Sequence, residues 1–206
     1  MLLTGGVHGA TMLARDMVAS GHTQRSRYLN VLSDAARQLG TMWDHDQTTF
    51  LGVHVAAIRI ENIIRDTARR ITNGGGANGR SAIFACVPGE EHTMGAKMAA
   101  ELHRSKGWNI QLVIEPTQEE LLSILLTSPI EILGLSIGSS TSMSKLYTLV
   151  RALMAIRPTL KILVSGSLVA TDHRPFARLG VDAYAATLGK AERKLEQMAR
   201  EIARAN

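Results

Sequence analysis

The residues able to do chemistry gather in Pro88-Gly89-Glu90-Glu91-His92-Thr93-Met94-Gly95. An imidazole ligates a metal through one ring nitrogen, and it ordinarily donates its other N–H to a carboxylate or carbonyl that fixes the ring. Glu90, two residues before His92, supplies such a carboxylate, with Glu91 beside it. Gly95, three residues after, lets a flat ligand approach the backbone. Thr93 and Met94 complete the candidate stretch. Two other segments are rich in small residues and hydroxyls: Ser136-Ile137-Gly138-Ser139-Ser140 and Ser165-Gly166-Ser167. Loops of this composition let backbone N–H groups reach a phosphate or a nucleotide tail. Either alone reads as an ordinary tight turn. All three together read as one site.

The site needs a scaffold that brings three distant loops to one edge. The apolar run Ala82-Ile83-Phe84-Ala85-Cys86-Val87 reads as a buried strand over 81–86. After it the pattern alternates. A helix is expected over 94–106, ended by Gly107, and Trp108 leads into a strand over 110–114. A helix over 117–126 has Thr117 as N-cap and Glu120 three residues on, a capping box. Strands follow at 132–136, 160–164 and 183–186. Helices are expected over 143–156 (stopped before Pro158), 172–179 and 188–203. Strands and helices in alternation predict an α/β fold, a flavodoxin/Rossmann-like doubly wound parallel five-stranded sheet with strand order 2-1-3-4-5. Ligands of such sheets bind outside the carboxyl ends of the strands, at the switch point beside strand one. The loops carrying His92, Ser136 and Gly166 all leave that edge.

The N-terminal part reads as a small helical bundle over 1–72. A short helix is expected over 12–19, ended by Gly21. A second starts near 23–26, with Tyr28, Leu32, Ala35 and Leu39 on one face and Gly40 at its end. A third starts at about Thr49, with Val53, Ala57, Ile60 and Ile64 inward. A glycine-rich linker over 73–80 separates the bundle from the α/β domain over 81–206.

Composition narrows the function classes. Hydrophobic content of 45% and charged content of 20% fit a globular chain, and no apolar run approaches the roughly 20 residues that span a bilayer. The start, Met1-Leu2-Leu3-Thr4-Gly5-Gly6, lacks the basic region and apolar core of a secretory signal, so a cytoplasmic setting is expected. The single cysteine, Cys86, sits in a strand and reads as a small core residue. The net charge of +5 is spread over solvated faces such as Arg65-Asp66-Thr67-Ala68-Arg69-Arg70, with few aromatics, so no direct nucleic-acid binding is expected. No catalytic triad, carboxylate pair or Walker-type phosphate loop is present, so the chain is not expected to be an enzyme.

The spacing Glu90-x-His92-x-x-Gly95, with Ser136 after strand three and Gly166 after strand four, resembles the signature of cobalamin-binding domains. Two departures stand: Ser136-Ile137-Gly138 lacks the usual leucine, and Gly166-Ser167 replaces a double glycine. Leu39-Gly40-x-x-Trp43 resembles the segment above the corrin ring in the same family's helical cap. In CarH-type light sensors a Glu-His pair follows that tryptophan, and here the corresponding residues are Val53-His54. Over most of its length the chain is similar to AerR/PpaA-type antirepressors.

The resemblance implies His92 as lower axial cobalt ligand, tuned by Glu90. It implies a nucleotide tail among Ser136, Gly138, Ser139, Ser165, Gly166 and Ser167, and Trp43 over the upper group. His54 or His45 is implied as upper ligand after light. His8, His22, His103 and His173 are expected at the surface. The implied function is a cobalamin-dependent light sensor with adenosylcobalamin as chromophore and a bilin as an optional second one. Its output would pass through a homo-oligomer, a regulatory partner or a fused domain. The alternatives are a corrinoid carrier for methyl transfer and a haem sensor on the same scaffold.

Overall fold

The computed structural model describes residues 35, 38–39, 41–42, 45–71 and 77–205. The chain divides into two compact units, Met1–Gly75 and Gly76–Asn206. In the first unit the main element is helix α1 (Phe50–Ile71), opened by Thr49, whose hydroxyl accepts the Gly52 N–H at 3.1 Å. Its buried stripe is Ala56, Ile60 and Ile63, at i, i+4 and i+7, and Leu39 is buried as well. The face is thus rotated from the expected one, since Val53 and Ala57 are only half-buried. Of the two preceding helices only residues 35 and 38–39 are described, and Trp43 and residues 73–76 of the linker lie outside the described residues.

The second unit holds strands β1 (Ser81–Cys86), β2 (Asn109–Val113), β3 (Ile132–Ser136), β4 (Lys161–Ser165) and β5 (Ala183–Ala185). All pair in parallel, in the order β2-β1-β3-β4-β5, as the alternating pattern predicted. Connecting them are helices α2 (Met94–Arg104), α3 (Gln118–Thr127), α4 (Met143–Ile156), α5 (Ser167–Thr171) and, last, α6 (Leu188–Ala205). The predicted capping box of α3 is present, with reciprocal bonds between Thr117 and Glu120.

Period-two alternation divides the core. Ile83 and Ala85 face a cluster with Leu121 and Leu125 of α3 and Leu146, Leu149 and Leu153 of α4. Ala82 and Phe84 face the other way, onto Ala100 of α2 and Leu195 and Met198 of α6. Burying both faces explains why the strands read as continuous apolar runs.

Two expectations are corrected here. The helix expected over 172–179 is replaced by α5 at Ser167–Thr171 and a 3-10 turn at Phe176–Arg178. Asp172 ends the helical run by accepting the Arg174 N–H at 3.1 Å and its guanidinium at 2.9 and 3.0 Å, and Pro175 opens the next turn. His103, expected at the surface, is only 2% exposed. Its ring stands edge-on between Phe84 (5.2 Å) and Trp108 (5.8 Å), and its Nδ1 lies 2.8 Å from the Ala99 carbonyl. The i−4 bond to Ala99 neutralises one polar end and lets the ring pack as an aromatic. Among the described residues no helix is long and apolar enough to cross a membrane.

Register places the site. Cys86 of β1 pairs with Ser136 of β3, and Ser136 pairs with Ser165 of β4. The three strands therefore end on one line, and the three loops leave side by side.

Candidate functional site

The first loop turns sharply after β1. Val87 N–H donates to Ser136 O (3.1 Å), and Glu90 N–H donates back to Val87 O (2.9 Å). This turn drives Glu90 inward until its residue is 1% exposed, while the His92 side chain remains 67% exposed. Thr93 then leads into α2, accepting the Lys97 N–H at 3.1 Å.

A buried carboxylate is stable only when its lone pairs are filled. Those of Glu90 are. Oε1 accepts the His92 backbone N–H at 2.9 Å and lies 2.6 Å from His92 Nδ1. Oε2 accepts the backbone N–H groups of Gly138 and Ser139, each at 2.9 Å. Burial pushes the carboxyl up, but the N–H donors of Ser139, His92 and Gly138 and then the His92 ring outweigh it, and hold it down at about 2. Glu90 is therefore ionised and can only accept, so the ring proton of His92 resides on Nδ1. Nε2 then carries a lone pair on the exposed side of the ring, the form in which imidazole binds a metal.

The second loop fits flush against this ring. A Cβ on Gly138 would lie 2.7 Å from His92 Cβ and 2.8 Å from Cγ, so only glycine leaves room for the imidazole. The third loop closes on the second. Gly166 has φ +135°, and a Cβ there would strike the Ile137 carbonyl oxygen. Ser167 Oγ–H donates to Gly138 O at 3.3 Å.

The structure thus brings together Glu90, His92, Gly138, Ser139, Gly166 and Ser167. Gly95 is exposed, and a Cβ on it would sit 3.7 Å from Ser136 Oγ, an ordinary contact that leaves open surface around both residues. Other expected residues point elsewhere. The Ser165 hydroxyl donates to Ala185 O of β5 at 2.9 Å, and the Ser139 hydroxyl pairs with Thr141 at 2.7 Å. Glu91 is exposed and Met94 half-buried. In the first unit His45 is exposed in a turn, its Nδ1 2.7 Å from the Thr41 carbonyl. His54 lies on α1 with its side chain outside the described residues, as is Trp43.

Two participants gave no sign in the sequence. Ile137 provides the backbone on which Gly166 rests, and Lys145 of α4 places its amine over Gly89. Both roles depend on which strands are neighbours.

His92 is a lone imidazole: among the described residues no three His, Cys, Asp or Glu side chains group to hold a bare ion. A single well-oriented Nε2 suits a metal that brings its remaining donors with it in a macrocycle. The ring bedded on Gly138, the ionised Glu90 behind it and the open surface at Gly95 fit such a group.

Comparison with known proteins agrees. Residues 80–199 match the family model described as B12 binding domain. An uncharacterised 20.5 kDa protein of Rhodobacter capsulatus, in the bchF-crtJ intergenic region, is 27% identical over 154 residues, covering 73% of this chain and 80% of that protein. The monomethylamine corrinoid protein of Methanosarcina barkeri superposes with a TM-score of 0.76 at 18% identity, covering 95% of this chain and 94% of that one. A cobalamin-binding protein from Desulfitobacterium hafniense DCB-2 gives 0.58 at 16% identity, covering 95% and 99%. These likenesses show a shared fold.

Proposed function

The chain belongs to the B12-binding domain family, whose model spans more than half of it, and on that premise we propose that it is a cytoplasmic, cobalamin-holding light sensor rather than an enzyme. The observation that carries the cofactor assignment is the 2.6 Å contact of His92 Nδ1 with Glu90, which leaves Nε2 free to bind. Bound adenosylcobalamin would supply a cobalt–carbon bond that absorbs visible light and breaks. The protein's part is to hold and to respond. His92 would hold the cobalt, and Glu90 would keep its ring in one tautomer. Trp43 would pack on the group that light removes. His45 or His54 would be the imidazole offered to the cobalt after light. A ligand exchange there would bias the helical unit between two arrangements, which a partner or a second copy reads. The Leu39-Gly40-x-x-Trp43 segment and the bchF-crtJ setting of the relative support the sensor reading.

The test is an absorption spectrum of protein mixed with adenosylcobalamin in the dark, desalted, and then exposed to green light. Retained cofactor and a stable new spectrum after illumination support the sensor. His92→Ala should abolish His-on ligation, and Trp43→Ala should alter photolysis without abolishing dark binding.

A second reading is favoured by the fold likeness to the monomethylamine corrinoid protein and, at a TM-score of 0.52, to the MtaBC methanol:cobalamin methyltransferase complex of Methanosarcina barkeri, which has 17% identity and covers 84% of this chain and 67% of that one. As a corrinoid carrier, the chain would keep cobalamin through illumination without a stable light-made state, and would pass a methyl group with a partner enzyme. Binding of haem in place of cobalamin would overturn both readings.

A further inference from the structure

Ser167 stands where the family signature has a glycine, and its hydroxyl donates to the Gly138 carbonyl. That carbonyl belongs to the same peptide group as the Ser139 N–H, which donates to Glu90 Oε2 at 2.9 Å. Glu90 Oε1, in turn, holds the His92 ring and backbone. An unbroken line of hydrogen bonds thus runs from the Ser167 hydroxyl through one peptide group and one carboxylate to the Nδ1–H of His92.

We propose that Ser167 is a positioning residue for His92, acting through the Gly138–Ser139 peptide and Glu90. The inference rests on the reading of His92 as lower cobalt ligand. A peptide group held at both ends cannot rotate, so its N–H stays aimed at Oε2 and the Gly138 backbone stays flush with the imidazole. Bonds in such a chain also polarise one another, because a donor on the carbonyl strengthens the N–H of the same peptide. Without the hydroxyl, the Gly138 carbonyl turns to water, which the exposed position of Ser167 permits at little cost to the fold. Orientation is lost at Glu90, and with it the single tautomer of His92. The Gly138 N–H still reaches Oε2 at 2.9 Å, so ligation weakens without disappearing.

The experiment compares wild type, Ser167→Ala and Ser167→Thr in two ways. The first is 15N and 1H NMR of the His92 imidazole in the cofactor-free protein. The second is titration with cobalamin, followed by the spectral signature of His-on binding. Wild type should show one Nδ1–H tautomer. Ser167→Ala should show a mixed or exchanging ring and bind about fivefold more weakly, the loss expected for one net hydrogen bond. Ser167→Thr, which keeps the hydroxyl, should restore both. Unchanged ring resonances in Ser167→Ala overturn the proposal, including where binding alone weakens, since Ser167 would then act on the cofactor directly. Failure of wild type to bind cobalamin would sink the functional reading instead, while the ring resonances would still decide the role of Ser167.

Discussion

One oxygen of Glu90 holds His92 twice, by its backbone N–H at 2.9 Å and by its ring Nδ1 at 2.6 Å. Loop and ring therefore move together, and the carboxylate is the pivot. Glu90→Gln keeps the size but brings an amide NH₂ against N–H donors and removes the charge. Cobalamin affinity is expected to fall about 10- to 100-fold, the usual consequence of losing the partner behind a ligating histidine. Equilibrium dialysis or calorimetric titration measures it. Wild-type affinity in the variant would mean that His92 needs no orientation from Glu90.

Acid should unlock the loops. The carboxyl of Glu90 is held at about 2 in the folded chain, against an ordinary 4.5, because the N–H donors outweigh the cost of burial. The folded state thus takes up the proton less readily than the unfolded one. The stabilisation is complete above about pH 4.5 and disappears as pH falls through about 2, and it amounts to something on the order of 3 kcal/mol. Urea unfolding of wild type and Glu90→Gln should show a stability gap at pH 6 that narrows by pH 3. A gap independent of pH would remove the ionised Glu90 from the account.

Gly166→Ala should damage the fold. At φ +135° and ψ 177° the backbone lies where side chains are rarely tolerated, and the added Cβ meets the Ile137 backbone, which cannot swing aside. A loss of about 3 kcal/mol, or about 10 °C in Tm, is expected by calorimetry. A shift within about 2 °C would show that the loops after β3 and β4 can part without cost.

The scaffold was legible because its signals are local. Apolar runs bounded by Gly and Pro marked β1 and β3 to the residue, and the Thr117–Glu120 box announced α3. His92 and Glu90 were legible by spacing. The bond from Glu90 to Gly138 and Ser139 was not, since it exists only because β1 and β3 are neighbours with Cys86 opposite Ser136. The helix at 167–171 was missed because its single turn carries the β-branched Val169 and Thr171, while Asp172 and Pro175 mimic the start of a longer helix further on. His103 misled for another reason. Histidine is as ready to be core as surface, and only the helix face it shares with Ala96 and Ala100 would have placed it inside.

Gly138→Ala should separate binding from stability. The new Cβ would stand 2.7 Å from His92 Cβ, so one of the two must yield. A Cβ moves only with its backbone, so rotating the exposed imidazole relieves nothing: either the loop at His92, held by Glu90 through the backbone N–H, or the Gly138 segment, held by Glu90 and Ser167, must shift. Either shift parts His92 from Glu90, at a cost of about 1–3 kcal/mol to the fold, the usual range for overpacking. Ligation would suffer far more, because the ring loses both its tautomer and its aim. Cobalamin affinity is expected to fall at least about tenfold, with a base-on or unligated spectrum in what remains bound. The contrast with Gly166→Ala is the point of the measurement. One alanine crowds the root of His92 and the other a left-handed position against the Ile137 carbonyl, so the first should cost mainly ligation and the second mainly stability. Wild-type cobalamin affinity in Gly138→Ala would show that the two loops can part without moving the imidazole off Glu90.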